Sequence, residues 1–94
     1  RTSTIITVAE TPGGQPARVY LEDGTSGRPL AGGPEQQVGR IAAYVREGYR
    51  DGKTSVLVKA ERSVRHREVA RVAEAVAAAE TEGIKLHLAV RETE

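Results

Sequence analysis

The sequence predicts an α+β fold, a two-layer sandwich in which two helices lie on one face of a four-stranded mixed sheet. Residues 54–90 change from an apolar period of two to one near 3.6 and back again, as in a strand, a helix and a second strand. Upstream, two short β-rich segments precede another amphipathic segment, which gives the element order ββαβαβ. Both helices then act as crossovers and share one face of the sheet.

The βαβ unit is the best-defined part of this prediction. Val56, Val58 and Ala60 alternate with Leu57 and Lys59 at the period of two that is typical of a strand. An apolar stripe at helical spacing follows and consists of Val69, Val72, Ala73, Val76 and Ala77. Gly83 is predicted to end this helix, and strand alternation resumes over residues 84–90. Strands joined by a helix of this length run parallel.

The first half of the chain is predicted to supply a hairpin and a helix. Residues 4–8 and 18–22 read as strands, and the Pro- and Gly-rich residues 11–17 connect them as a loop. A helix begins at Pro34, where proline suits the first turn, and ends before Asp51. With both helices on one face, the other sheet face is predicted to lie open and to carry Leu57, Lys59, Lys85, His87 and Arg91.

Composition points to one small domain, residues 1–94, with a core of small aliphatic side chains. The 94 residues include no Phe, Trp, Met or Cys, so disulfides and thiolate chemistry are excluded. A net charge of +1 does not favour nucleic acid as a bulk electrostatic partner. Because the chain opens on Arg1 and has no Met, we expect an excised piece in which residues 1–3 are a linker remnant and an upstream membrane helix is missing.

No catalytic, cofactor or metal site is predicted. His66 and His87 are the only histidines, and neither has further ligands at metal-binding spacing. Ser63 is predicted to cap the amino end of the second helix rather than to act as a nucleophile. An enzyme hypothesis survives only if one pocket collects Glu61, Ser63 and His66 around a ligand.

A basic cluster is the sharpest charge feature of the sequence. It lies around the start of the second helix and comprises Arg62, Arg65, His66, Arg67 and Arg71. Cations at a helix amino end are mildly unfavourable unless something anionic docks there, so the cluster predicts contact with an anionic polymer or an acidic partner. The plainer alternative is local pairing with Glu61 and Glu68 on a solvated surface.

The second half of the chain resembles the periplasmic domain of the ExbD/TolR family. The matching features are the turn Lys59-Ala60-Glu61, the step Val64-Arg65-His66 into a helix and the Gly83-Ile84 pair before the last strand. Glu61 stands where that family usually has Asp, and Arg65 and His66 where Pro and Tyr are common. The upstream order of elements also fits.

The resemblance implies a non-enzymatic coupling domain of a proton-driven inner-membrane motor. Such a domain works with an ExbB/TolQ-like channel, whose proton flow it transmits to a TonB-like or TolA-like protein or to peptidoglycan for transport, envelope maintenance or gliding. The family also implies a periplasmic location, an upstream membrane helix and a homodimer. The alternative is a stand-alone binding module for an anionic ligand or RNA, which would need exposed aromatic side chains on its sheet for base stacking.

Overall fold

A computed structural model describes residues 3–80 and 83–93. Its elements are β1 (Ser3–Ala9), β2 (Arg18–Tyr20), α1 (Pro34–Arg50), β3 (Ser55–Glu61), α2 (His66–Ala77) and β4 (His87–Thr93), with a 3₁₀ turn at Pro12–Gly14. The order ββαβαβ and the α+β class are as predicted. Ser3 belongs to β1 and is not linker, whereas Arg1 and Thr2 of the expected remnant lie outside the described residues.

The four strands form one mixed sheet in the order β2-β1-β3-β4. β1 pairs with β2 antiparallel, whereas β3 runs parallel to both β1 and β4. The registers place Ile6 beside Val58, and Val58 beside Val90. β1, β3 and β4 therefore run in the same direction. The connections that contain α1 and α2 each return the chain to the end of the sheet where these strands begin.

Both helices pack on the face that carries the aliphatic side chains of β1 and β3. Among the described residues, the largest fully buried side chains are all Ile or Val, namely Ile6, Val8, Val19, Ile41, Val45, Val56, Val58, Val72 and Val76. The buried face of α2 includes Ala75, and Ala79 just beyond the helix is also buried, whereas Val69 and Ala73 of the predicted stripe are only half-buried. These side chains form one cluster between the helices and the sheet. The cluster consists of small aliphatic side chains and lacks the large buried area that an aromatic ring would add.

Two predictions about α2 were wrong. Ser63 does not cap α2, because a turn closed by the Val64 N–H on Glu61 O displaces the amino end to Arg65, which provides no side-chain cap. The helix ends at Ala77 rather than at Gly83. Just past that end, the Arg46 guanidinium of α1 donates to the carbonyls of Ala78 and Ala79, which have no helical partners.

The second strand is shorter, and the open face less open, than predicted. β2 ends at Tyr20 because the chain then folds over the sheet, where Thr7 Oγ1 donates to Glu22 O at 2.7 Å and accepts from Gly24 N–H at 2.8 Å. Lys59 of the open face forms a 2.8 Å ion pair with Asp23 of the same loop. This loop covers the centre of the face and leaves the β4 side to solvent.

The last strand begins three residues later than predicted. Residues 84–86 approach it as irregular chain, in which the Leu86 N–H donates to the Glu80 carboxylate at 2.9 Å. Pairing begins where the His87 N–H donates to Thr54 O at 2.9 Å, and it continues to Thr93. Lys85 therefore lies before the sheet, whereas His87 and Arg91 lie on the open face beside Ser55 and Lys59, respectively.

Helix α1 packs tightly against β1 at Gly48. A Cβ added there would collide with Thr4 Oγ1 and lie 3.4 Å from Thr4 Cβ. Thr4 is 3% exposed, and its hydroxyl oxygen has no hydrogen-bond partner among the described residues. The missing side chain at Gly48 thus sets the depth at which α1 lies on β1.

Gly48→Ala is expected to destabilise the protein by about 1–3 kcal/mol, although alanine is the better helix former, because its methyl group overpacks the contact with Thr4. Gly39→Ala is the matched control: Gly39 is exposed on the same helix with no atom near its Cβ position, so this change should stabilise by up to about 1 kcal/mol. Urea unfolding measures both. Equal effects at the two positions would contradict the close approach.

Candidate functional site

The structure divides the predicted basic cluster among three surroundings. Arg65 and Arg67 line a pocket between the 3₁₀ turn and the β3–α2 connection, which we name the turn pocket. Arg62 and His66 line a groove between α2 and β4, which we name the β4 groove. Arg71 faces α1 instead. The five side chains therefore do not form one anion-binding patch.

The turn pocket is polar and has a volume of about 350 Å³. Its lining also includes two carboxylates: Glu10 accepts a hydrogen bond from Ser63 Oγ, another residue of the pocket, and Glu68 accepts from the Arg71 guanidinium at 2.8 Å and 3.1 Å. Arg65 and Arg67 are exposed and have no ion-pair partner among the described residues. The pocket thus presents two uncommitted guanidinium groups beside the uncapped amino end of α2.

The three residues of the enzyme hypothesis do not share a pocket. Ser63 lines the turn pocket, whereas Glu61 and His66 line the β4 groove. The carboxylate of Glu61 accepts the Glu10 N–H at 2.8 Å, so it ties the end of β1 to the end of β3. The structure therefore does not bring Glu61, Ser63 and His66 together in one pocket, as the enzyme hypothesis required.

Arg71 braces the two helices. Its guanidinium is mostly buried, pairs with Glu68 on α2 and donates to Gln37 Oε1 on α1 at 3.0 Å. Gln37 is 6% exposed, and its amide nitrogen donates to Gly32 O at 3.1 Å. The brace orders the connection into α1, and it removes Arg71 from the predicted contact surface.

Arg71→Ala is expected to destabilise the protein by about 1–3 kcal/mol, because the buried Gln37 oxygen and the Glu68 carboxylate lose their donor. Arg67→Ala, which removes an exposed arginine four residues earlier on the same helix, should stay within about 0.5 kcal/mol of the parent. Thermal or urea unfolding compares the two variants. A smaller loss for Arg71→Ala than for Arg67→Ala would show that the brace contributes nothing.

The β4 groove is lined mainly by apolar side chains. Its volume is about 550 Å³, and its apolar lining comes from Ala60, Val64, Val69, Ala70, Ala73 and Val90. Leu88 and Val90 pair in register with the buried Val56 and Val58, so they lie on the helix side of the sheet, yet they are 42% and 51% exposed. The helix side of β4 is thus left uncovered, because α2 packs over β3.

β4 also has an unpaired edge. The His87 N–H donates to Thr54 O and Thr93 O accepts from the Arg62 N–H, so the odd-numbered residues of β4 point their backbone groups at β3. By the alternation of a strand, Leu88, Val90 and Glu92 point theirs outward. Among the described strands, β2 forms the opposite edge of the sheet. A backbone carbonyl on that edge is paired, because the Leu30 N–H donates to Val19 O at 2.8 Å.

Sequence reasoning missed this surface. Alternation places Leu88 and Val90 on the helix side correctly, but it does not say how far α2 extends across the sheet. The sequence feature that could have indicated the groove is the pair Ala70 and Ala73. Their small side chains do not fill the space between α2 and β4. His66 and His87 are both exposed.

Comparison with known proteins assigns no family: no family model matches the chain, and no curated protein matches it. The likeness to the ExbD/TolR domain stays a resemblance in residues 59–61, 64–66 and 83–84. Within residues 3–80 and 83–93, no group of acidic or histidine side chains is placed to hold a metal ion. Neither helix in that part of the chain has the length and hydropathy needed to cross a membrane.

Proposed function

We propose that this chain is a periplasmic coupling domain of a proton-driven inner-membrane motor of the ExbD/TolR type, and that it acts by binding. The observation that carries the proposal is the turn pocket, in which Arg65 and Arg67 are uncommitted while Glu10 and Glu68 are engaged. Uncommitted guanidinium groups suit carboxylates, which they bind through paired, charge-assisted hydrogen bonds. An acidic segment of a TonB-like or TolA-like protein, or peptidoglycan, supplies such groups.

In this proposal the domain binds a partner, and another part of the protein transfers the protons. Proton transfer would take place in a membrane helix bearing one acidic residue, held against an ExbB/TolQ-like channel subunit. This domain would then hold the periplasmic partner while the motor changes state. The ββαβαβ order and the residues that resemble the family support this assignment.

The encoding gene tests the motor assignment directly. We expect one apolar helix with a single acidic residue upstream of Arg1, and we expect the tagged full-length protein to copurify with an ExbB/TolQ-like channel subunit in mild detergent. A gene without such a segment, or a protein that purifies from membranes without that subunit, would contradict the assignment.

A second candidate function is a stand-alone module for a small anionic ligand. The size of the turn pocket, about 350 Å³, falls within the range of pockets that hold small molecules. RNA is a poorer candidate, because Tyr20, the tyrosine on the described strands, is 5% exposed and offers no stacking surface. The test below separates the two candidates by ligand.

Arg65→Glu combined with Arg67→Glu is expected to weaken binding to isolated peptidoglycan or to an acidic TonB-like peptide by about tenfold or more, because both cations of the pocket are reversed. Sedimentation with peptidoglycan and isothermal titration with the peptide measure the change. Circular dichroism should be unaltered, since both side chains are exposed.

Arg28→Glu combined with Arg40→Glu is the matched control, with the same charge change at exposed sites outside the pocket. It should bind as the parent does. Equal loss in both double variants would reduce the contact to net charge and would count against the pocket. Binding of inorganic phosphate or a small dicarboxylate, without binding of peptidoglycan or the peptide, would favour the second candidate.

A further inference from the structure

The turn pocket carries charges of both signs that the protein itself does not fully use. Arg65 and Arg67 are exposed and have no ion-pair partner among the described residues, and Glu10 belongs to the same lining. One oxygen of the Glu10 carboxylate accepts from Ser63 Oγ, and the other has no partner in that part of the chain. A simple anion would satisfy the two arginines, but the nearby Glu10 charge would repel it.

Glu10 is held in place on several sides. Its N–H donates to Glu61 Oε1 at 2.8 Å, and its carbonyl oxygen accepts from the Arg18 guanidinium at 3.4 Å. The hydroxyl of Ser63 fixes one oxygen of its carboxylate. An acceptor that is already positioned loses little conformational freedom when a ligand binds. The free oxygen of Glu10 is therefore preorganised to accept from a cationic donor.

We propose that the turn pocket binds a free α-amino acid as its zwitterion. The ligand carboxylate accepts charge-assisted hydrogen bonds from Arg65 and Arg67, and the ligand ammonium donates to the free oxygen of Glu10. This inference deepens the proposed function and rests on it, because both need the two arginines to capture a carboxylate. It adds that the pocket recognises a positive charge beside that carboxylate.

The balance of charges in the pocket matches such a ligand. Glu68, the other acid of the lining, is paired with Arg71 at 2.8 Å, so two guanidinium groups and one carboxylate remain. These are the complements of one ligand carboxylate, which can accept from both guanidinium groups, and of one ligand ammonium. The volume of about 350 Å³ lies toward the lower end of the range for small-molecule pockets, which suits a single amino acid.

The uncharged part of the lining indicates the side chain of the ligand. Pro12, Pro16 and Val64 contribute apolar surface, which suits a small aliphatic side chain such as that of leucine. Thr11 also lines the pocket, and its hydroxyl oxygen is buried without a hydrogen-bond partner among the described residues. Because no hydrogen bond holds this hydroxyl, it can turn toward a ligand without breaking one.

Three ligands of similar shape test the proposal on the parent chain. Leucine carries both charges, isocaproate lacks the ammonium and isoamylamine lacks the carboxylate. NMR titration of the isotope-labelled chain measures the three dissociation constants, and the amide signals of Ser63 and Arg65 report binding in the pocket. We expect leucine to bind about tenfold more tightly than either fragment, because each fragment lacks one charge-assisted contact.

Glu10→Gln separates the two halves of the site. The glutamine side chain can still accept from Ser63 Oγ, but it lacks the charge that attracts the ammonium. The affinity for leucine should fall about tenfold, whereas that for isocaproate should be unchanged or higher, because a repelling charge is gone. Glu47→Gln removes an equal charge at an exposed site on α1 outside the pocket and should bind each ligand as the parent does.

Three results would overturn the inference. Isocaproate could bind as tightly as leucine, which would make the pocket a plain anion site and leave the proposed function intact. Glu10→Gln could weaken both ligands equally, which would assign Glu10 a structural role through Ser63. Leucine could leave the pocket amides unshifted at saturating concentration. In that case the proposed function would stand alone if binding of the acidic peptide still depended on Arg65 and Arg67, and both proposals would fall if it did not.

Discussion

The parallel pairing of β1 with β3 is the constraint on which the rest of the structure depends. It places Ile6 and Val8 beside Val58 and Ala60 in one apolar floor, and it requires the chain between them to cross over one face of the sheet. α1 supplies that crossover and lies close to β1 because Gly48 has no side chain to separate it from Thr4. The second crossover, α2, must then pack beside α1 over β3.

The position of the two helices leaves the two edges of the sheet in different surroundings. On the β2 side, the loop after Tyr20 turns back across the open face and is held there by Thr7 and Lys59. On the β4 side no segment within residues 3–80 and 83–93 performs that role, because α2 remains over β3, to which β4 is joined only by its inner edge. A small aliphatic core makes this asymmetry more important, since each exposed Leu or Val is a larger share of what the fold can bury.

The basic residues around the start of α2 show how one charge cluster can serve separate purposes. Arg71 is committed to the two helices through Gln37 and Glu68, and it contributes to stability. Arg65 and Arg67 remain available beside a polar pocket, whereas His66 rims an apolar groove. The described residues therefore present two surfaces of different chemistry, a polar pocket beside two exposed arginines and an apolar groove along β4.

Apolar periodicity and turn residues are local properties, so they predicted the fold class, the order of the elements and the helix side for Val56, Val58, Leu88 and Val90. Tertiary structure decided where the elements end: Ser63 lost its predicted capping role to the turn at residues 61–64, and α2 stopped at Ala77, where Arg46 of the other helix takes the free carbonyls. It also decided which members of the basic cluster are free and that the helix side of β4 is bare. These outcomes depend on distances between segments far apart in the chain, which no local pattern encodes.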